Sequence, residues 1–291
     1  MTRPARTLPE VELPDGVRWP SLGLGTWRYG ESAARRLDEV AALRLALEIG
    51  YRVIDTAEMY GEGGAEEVVG EALRQSIAAG TLTRDDVHIV TKVYPHNASP
   101  EAMRQACDAS RRRLGVDSID LYLLHWRGGV PLADTLAGFQ DLRARGWINR
   151  FGVSNFDTAD LEELFALPAG TDCAANQVYH SLAERGPEFE LIPWQRGRRL
   201  PLMAYSPLDQ GVLARHTGLS EVAQRLGATP AQVALAALMA QPGVMVIPKS
   251  SDPQRLQENW ASATLALAPS DLAVLDKAFP PPRRKRALAM R

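Results

Sequence analysis

The sequence contains little cysteine and no long apolar segment. Its 291 residues include two cysteines, Cys107 and Cys173, and neither belongs to a CxxC motif or a Cys/His cluster. A disulfide framework and a zinc site are therefore not expected. The longest apolar stretch, residues 233–240, is too short to span a bilayer, and residues 1–9 lack the apolar core of a signal peptide. These absences favour a cytoplasmic protein.

The sequence also has no excess of one charge sign. Lysine and arginine number 33 against 35 aspartates and glutamates, a net charge of −2, so no general attraction to nucleic acid or to an anionic membrane is expected. A hydrophobic content of 45% and a charged content of 23% are typical of a globular protein with a large core. No linker or break in composition divides the chain, so residues 1–291 are predicted to form one domain.

Strand and helix patterns alternate along the chain after a short hairpin. The hairpin is predicted over residues 11–19, around the turn Asp15-Gly16. Eight strands follow, nearly all succeeded by a helix, which implies parallel strands joined by crossover helices. Eight such units close a TIM barrel, so we predict an α/β fold, a (β/α)8 barrel with an N-terminal β-hairpin. The predicted strands cover residues 22–25, 53–54, 87–91, 119–124, 148–153, 173–176, 200–204 and 244–247.

Most of these strands end at a polar group that can take part in chemistry. In a TIM barrel the C-terminal strand ends converge on the face that holds the active site. Each residue alone has an ordinary explanation, such as a turn carboxylate, a core tyrosine, a solvated lysine or a structural histidine. Their occurrence at successive strand ends favours one shared site. These residues are Asp55, Lys92, His125, Ser154 with Asn155, Gln177, Tyr205 and Lys249, and Tyr60 follows Asp55 by five positions.

Four of these groups together support proton transfer to a carbonyl oxygen. A tyrosine has a pKa near 10 and is a weak acid, and a lysine beside Tyr60 would favour its phenolate. Asp55 would hold Lys92 and balance its charge, while a hydrogen bond from His125 would stabilise charge on the substrate oxygen. No activated serine or cysteine nucleophile and no metal-ligand spacing is evident. We therefore expect the attacking group to be a hydride from a cofactor.

The glycine-rich segments are poor candidates for the cofactor phosphates. Gly23-Leu24-Gly25 lacks the last glycine of GxGxxG, where Arg28 stands, and the acids after Gly61 would repel a phosphate, so both are interpreted as turn and packing glycines. A late segment fits better, because barrels of this kind often bind phosphate after strands seven and eight. Two cations there suit a 2′-phosphate and hence NADPH over NADH. This candidate phosphate site comprises Lys249, Ser250, Arg255 and Asn259.

At these positions the chain resembles the aldo-keto reductase family along nearly its whole length. The first-strand motif and the Asp/Tyr motif correspond to Gly23-Leu24-Gly25-Thr26-Trp27 and Asp55-Thr56-Ala57-Glu58-Met59-Tyr60. The catalytic tetrad is completed by Lys92 and by His125 within Leu121-Tyr122-Leu123-Leu124-His125-Trp126. The cofactor motifs are Gly152-Val153-Ser154-Asn155-Phe156, Asn176-Gln177, Tyr205-Ser206-Pro207-Leu208 and Ile247-Pro248-Lys249-Ser250.

The resemblance implies reduction of aldehydes and ketones to alcohols by NADPH, with Tyr60 as general acid and Lys92, Asp55 and His125 assisting it. The chain is similar in particular to small bacterial reductases of methylglyoxal and simple aldehydes. A small-molecule substrate, a monomer and no metal are expected. The implied cofactor-binding residues are Gly25, Thr26, Trp27, Asp55, Ser154, Asn155, Gln177, Tyr205, Ser206, Pro207, Leu208, Lys249, Ser250, Arg255, Glu258 and Asn259. The implied substrate-binding residues are Trp27, Met59, Tyr60, His125 and Trp126.

One position departs from the family pattern, and two other functions are open. Arg127 stands where many members have proline, and it could favour anionic aldehydes or be an ordinary solvent-facing arginine. A binding protein that senses the nicotinamide redox state is one alternative, which the absence of further domains disfavours. The other alternative is an aldolase or isomerase with Lys92 as a Schiff-base amine, which Tyr60 and the proximity of Asp55 disfavour.

Overall fold

The computed structural model describes residues 8–291 and contains two sheets. A two-stranded antiparallel hairpin precedes an eight-stranded sheet in which all neighbouring strands are parallel and follow chain order. The strands are β1 (Glu10–Glu12), β2 (Arg18–Pro20), β3 (Leu24–Gly25), β4 (Val53–Asp55), β5 (His88–Val93), β6 (Leu121–Leu124), β7 (Phe151–Ser154), β8 (Asn176–Tyr179), β9 (Leu202–Tyr205) and β10 (Val244–Val246).

Helices connect the strands of the larger sheet and form the outer layer. They are α1 (Arg36–Ile49), α2 (Gly64–Ala78), α3 (Pro100–Leu114), α4 (Leu132–Ala144), α5 (Thr158–Phe165), α6 (Leu191–Gly197), α7 (Ser220–Leu226), α8 (Pro230–Met239), α9 (Pro253–Ala261) and α10 (Pro269–Ala278). Proline occupies the first position of four of them, where its missing N–H costs no hydrogen bond. None of the helices in residues 8–291 has the length and apolar character needed to cross a membrane.

Hydrogen bonds between the first and last strands close the sheet into a barrel. The Gly23 N–H donates to the Val246 carbonyl (2.9 Å), and the Val246 N–H donates to the Ser21 carbonyl (2.8 Å). A Cβ atom on Gly25 would lie 2.9 Å from the Ile247 carbonyl oxygen, so this closure needs glycine. The predicted (β/α)8 barrel with its N-terminal hairpin is thus confirmed, and Gly23 and Gly25 are packing glycines as expected.

The hairpin closes the N-terminal end of the barrel. Val11, Leu13 and Trp19 are buried in one apolar cluster with side chains from the barrel interior. The Trp19 ring stacks on His88, the first residue of β5, with centroids 4.4 Å apart and planes 8° from parallel. The opposite end, where the strands terminate, is therefore the one that remains open for a site.

One local prediction needs correction. The strand predicted at 173–176 is observed at Asn176–Tyr179, because Tyr179 and its neighbours pair with β9 and carry the strand past Gln177. The single-domain prediction for residues 1–291 stays a prediction, and residues 1–7 lie outside the described residues.

The stacked Trp19 generates a stability prediction. Trp19→Ala should lower the free energy of unfolding by about 3–5 kcal/mol, because the ring is fully buried and its loss leaves a cavity in the barrel floor. Val17→Ala, on the exposed side of the same hairpin, should change it by less than about 0.5 kcal/mol. Urea unfolding followed by circular dichroism measures both, and equal effects would contradict this account of the hairpin.

Candidate active site

A cavity of about 1100 Å³ opens where the barrel strands end. Its walls come from the C-terminal ends of strands and from the loops that follow them, as expected for this architecture. The lining includes most of the residues that the strand-end pattern predicted or the family resemblance implied. These are Gly25, Trp27, Asp55, Met59, Tyr60, His125, Ser154, Asn155, Gln177, Tyr205, Ser206, Pro207, Leu208, Lys249, Ser250, Arg255, Glu258 and Asn259.

A buried ion pair lies at the base of this cavity. The Lys92 ammonium is 2.9 and 2.8 Å from the two carboxylate oxygens of Asp55 and also donates to the Thr56 carbonyl (2.8 Å). The Lys92 side chain is fully buried, so each of these contacts offsets the high cost of removing a charge from water. Burial raises the pKa of Asp55 and lowers that of Lys92, while each partner's charge opposes the shift of the other.

Tyr60 lies directly against this pair. Its hydroxyl is 3.3 Å from Lys92 Nζ, and that nitrogen is 4.9 Å from the centre of the tyrosine ring. Burial, assisted by the negative charge of Asp55, raises the pKa of Tyr60 well above its ordinary value. The pKa of Tyr60 therefore shifts in the direction opposite to the lowering expected from Lys92. Tyr60 carries its proton at neutral pH, which is the state that a general acid requires.

His125 is the fourth member of the group. Its ring centre is 5.8 Å from that of Tyr60, in an edge-to-face arrangement. Burial and the neighbouring Lys92 charge lower the pKa of His125 to about 2, so the imidazole is neutral across the physiological range. A neutral imidazole retains one N–H donor, and it adds no second positive charge beside Lys92.

Three amide and hydroxyl groups connect this tetrad to the next strands. Gln177 donates to Asp55 Oδ1 (2.7 Å), and the Asn155 side chain donates to the His125 carbonyl (3.0 Å) and to Ser154 Oγ (3.1 Å). Tyr205 donates to Asn155 Oδ1 (2.9 Å). Residues expected to bind the cofactor are therefore hydrogen-bonded to Asp55 and to the His125 backbone, which belong to the predicted catalytic tetrad.

Residues in the left-handed backbone region cluster around the cavity. Arg28, Asn155, Ser206 and Gln210 all line it and have φ angles of 67°, 60°, 49° and 52°. This conformation is costly for residues other than glycine, and such strain concentrates at functional sites. The strained residues therefore support the placement of the site independently of the polar side chains.

The candidate phosphate site lines the same cavity. Partial burial of Lys249, together with the nearby Arg35 guanidinium, lowers its pKa. Arg255 lies in the first turn of α9, where its backbone N–H donates to Asp252 Oδ1 (3.0 Å), and Asn259 is buried one turn further on. All four residues of the candidate phosphate site therefore line the cavity, and two of them are cations.

Three predicted site residues are absent from the cavity lining. Lys92 contacts the lining residues Asp55 and Tyr60, and the other two are Thr26 and Trp126. Thr26 is buried and donates through Oγ1 to the Asp55 carbonyl (3.0 Å), so it contacts the catalytic segment from behind. Trp126 packs on His125, with ring centres 4.8 Å apart, and is not part of the lining. Their predicted direct roles in cofactor and substrate binding stay predictions.

Arg127 does not face the cavity in the described structure. Its two guanidinium nitrogens donate to the two oxygens of Glu163, each at 2.9 Å, and it is absent from the lining. A bidentate pair of this kind leaves little of the guanidinium free to hold an anionic substrate. The structure favours the reading of Arg127 as an ordinary loop arginine.

Several lining residues were not selected from the sequence. The strand-end argument could have included Arg28, which directly follows Trp27, and the loop from Gln210 onwards, which follows the Tyr205 motif. No local signal could have identified Arg291, whose guanidinium pairs with Asp209 (2.5 Å) after a separation of 82 positions. Within residues 8–291, no cluster of three or more metal-ligating side chains is present.

The arrangement defines the class of protein: an oxidoreductase built on a (β/α)8 barrel, with a buried tyrosine held against a lysine–carboxylate pair. Residues 21–279 match the sequence model of the Aldo/keto reductase family. The chain belongs to the aldo/keto reductase family.

Relatives of known name cover almost the whole chain. It is 46% identical to methylglyoxal reductase YeaE of Escherichia coli strain K12, over 96% of this chain and 98% of that protein. It is 33% identical to 9,11-endoperoxide prostaglandin H2 reductase of Trypanosoma cruzi strain CL Brener, over 92% of this chain and 90% of that protein. An aldo/keto reductase from Klebsiella pneumoniae, solved with NADP and acetate, has a TM-score of 0.92 and 45% identity, over 98% of this chain and 100% of that one.

The neutral state of His125 generates a prediction on pH and stability. The unfolded chain protonates this histidine near pH 6.5, whereas the folded protein does not until near pH 2, so acid favours unfolding. Between pH 6 and pH 4, the free energy of unfolding of the wild type should therefore fall as the pH falls. The decrease should exceed that of His125→Gln by about 1 kcal/mol per pH unit. Urea unfolding at each pH measures the difference, and parallel curves for the two proteins would contradict it.

Proposed function

We propose that the protein reduces aldehydes and ketones to alcohols with NADPH, and that small aldehydes or dicarbonyls such as methylglyoxal are its substrates. The observation that carries this proposal is the contact of Tyr60, still protonated, with the Lys92 ammonium inside a large cavity. A hydroxyl placed in this way suits delivery of a proton to a carbonyl oxygen.

The chain's own residues would handle the proton and the charge. As Tyr60 releases its proton to the carbonyl oxygen, Lys92 is close enough to stabilise the phenolate that forms. Asp55 keeps Lys92 charged and in place, and His125 provides a neutral donor for the same oxygen. NADPH, when bound, would supply the hydride that reduces the carbonyl carbon.

The donor set around the cavity fits a nicotinamide dinucleotide. Ser154, Asn155 and Gln177 offer amide and hydroxyl groups to a carboxamide, and Tyr205 offers a ring face beside them. At the other end, Lys249 and Arg255 supply two cations for a phosphate. The Klebsiella pneumoniae relative is 45% identical and was solved with NADP, which supports NADPH as the cofactor here.

The substrate proposal rests on a relative and on the shape of the site. The Escherichia coli relative at 46% identity bears the name methylglyoxal reductase, which supports a small dicarbonyl substrate. Trp27 and Met59 line the cavity near Tyr60 and provide an apolar wall. A screen of NADPH oxidation with aldehydes, dicarbonyls and ketones tests the proposal directly, and no turnover with any carbonyl compound would refute it.

The structure disfavours an aldolase or isomerase mechanism. Lys92 is fully buried, and its hydrogen bonds to Asp55, Thr56 and Tyr60 engage all the protons of its ammonium. A Schiff base needs a neutral, accessible amine, which this environment does not provide. The expectations of a monomer and of a cytoplasmic location stay predictions.

Substitution of the proton donor gives the first test. Tyr60→Phe should lower kcat by about 10²–10⁴-fold, because it removes the acid and keeps the ring. Its affinity for NADPH, measured by fluorescence quenching, should change by less than about threefold, a difference below 1 kcal/mol. Tyr94→Phe is the matched control, since Tyr94 directly follows β5 and its hydroxyl contacts Glu62 at 3.5 Å. Equal losses in the two variants would show that the acid is misassigned.

The phosphate site gives the second test. Lys249→Ala combined with Arg255→Ala should weaken NADPH binding by at least about 100-fold, because the two charge-assisted hydrogen bonds contribute about 1.5–3 kcal/mol each. Binding of NADH, which lacks the 2′-phosphate, should weaken far less. Titration of each cofactor by fluorescence measures both values. An equal loss for the two cofactors would remove the claim that these cations bind the 2′-phosphate.

A further inference from the structure

A buried acid that has no part in the mechanism above lies on the outer side of β5, the strand that carries Lys92. Glu66, on α2, is fully buried. One of its oxygens accepts a hydrogen bond from Thr91 Oγ1 (2.6 Å), and the other accepts one from Arg113 Nε on α3 (2.6 Å). A carboxylate in this position is held by charge-assisted hydrogen bonds on both oxygens.

The Glu66–Arg113 pair contacts the chain next to two catalytic residues. Thr91 directly precedes Lys92 on β5, and because strand side chains alternate, Thr91 points to the helix layer while Lys92 points inward. Arg113 lies against Gly63, where an added Cβ atom would be 2.7 Å from Arg113 Cδ and Nε. Gly63 ends the short turn that begins at Tyr60, and its φ angle of 90° fits glycine.

The opposite side of this turn is also held by close packing. A Cβ atom on Gly61 would lie 2.9 Å from the Gly30 carbonyl carbon, and one on Gly64 would lie 2.6 Å from the Gly30 oxygen. The turn that carries Tyr60 is therefore enclosed between residue 30 and Arg113. The glycines at 61, 63 and 64 are turn and packing glycines, as the sequence indicated.

Glu66 also acts on Lys92 through its charge. It is one of the negative groups that raise the pKa of Lys92, after Asp55. Glu66 lies on the outer side of β5 and does not line the cavity, so it affects Lys92 by electrostatic interaction across the strand.

We propose that Glu66 and Arg113 are positioning residues, which hold the Tyr60 turn and the Lys92 strand at the separation that proton delivery needs. This inference rests on the proposed function of Tyr60 as general acid. It assigns the pair a role in the rate of the chemical step and none in cofactor binding, because neither side chain lines the cavity.

A similar ion pair at the opposite end of β5 provides a matched control. Asp120 accepts from Arg84 (2.6 Å) and from the Ile89 N–H (2.8 Å), so it too links a buried carboxylate to this strand. It lies near the start of β5, whereas Thr91 and Lys92 are near its end. Loss of this pair should affect stability without changing the contact between Tyr60 and Lys92.

The experiment compares Arg113→Ala, Arg113→Lys and Glu66→Gln with Asp120→Asn. The single-turnover rate of NADPH oxidation with a saturating aldehyde should fall about 10- to 100-fold in Arg113→Ala, because misplacement by 1 Å can cost about 10²-fold. The dissociation constant for NADPH should change less than about twofold, and Arg113→Lys should recover part of the rate. Asp120→Asn should keep the wild-type rate, even with a lowered melting temperature.

Each outcome decides between a positioning role and a structural one. A wild-type rate in Arg113→Ala and Glu66→Gln, or the same rate loss in Asp120→Asn, would overturn the inference. If Arg113→Ala does not fold, Glu66→Gln decides, since it keeps the size of the side chain and an acceptor for Thr91. A wild-type protein that reduces no carbonyl compound would refute the proposed function itself, whereas an active wild type with unaffected variants would remove only the positioning role.

Discussion

The ion pair of Asp55 and Lys92 is the interaction on which the rest of the site depends. Both side chains are buried, so neither charge is tolerable without the other. The pair forms because neighbouring parallel strands bring the end of β4 beside β5. Further groups converge on it, with Gln177 donating to the carboxylate and Tyr60 lying against the ammonium. The local electrostatics of the cavity follow from this one contact.

Barrel closure and the hairpin stabilise the N-terminal end of the barrel, opposite the Asp55–Lys92 pair. Val11, Leu13 and Trp19 fill the floor, and glycines at the seam allow the first and last strands to approach closely. A floor packed in this way fixes the strand ends relative to one another, which the proposed proton transfer requires because its groups must meet within hydrogen-bonding distance. The loops above remain free to vary, so stability and chemistry occupy opposite ends of one barrel.

Short-range rules predicted the barrel and the polar residues at its strand ends, and the family resemblance implied much of the remaining cavity lining. Apolar strands that stop at Asp55, His125 or Lys249 are visible in the chain without any coordinates. Such rules failed where a long-range contact decided the outcome. Pairing with β9 extends β8 beyond Gln177. The sequence left two readings of Arg127 open, and the contact with Glu163 favours the ordinary loop arginine. No sequence pattern ties Arg291 to Asp209, since their pairing depends on how the tail folds back over the barrel.

By itself, the sequence determined the order of the elements, the face on which the polar strand ends gather and the types of residue available there. Only the tertiary structure decided the protonation of those residues. Lysine was expected to lower the pKa of Tyr60, yet burial raises it, and burial also leaves His125 neutral. The reason is physical: residue spacing is a local property of the chain, whereas desolvation depends on every atom that distant strands and helices bring to the site.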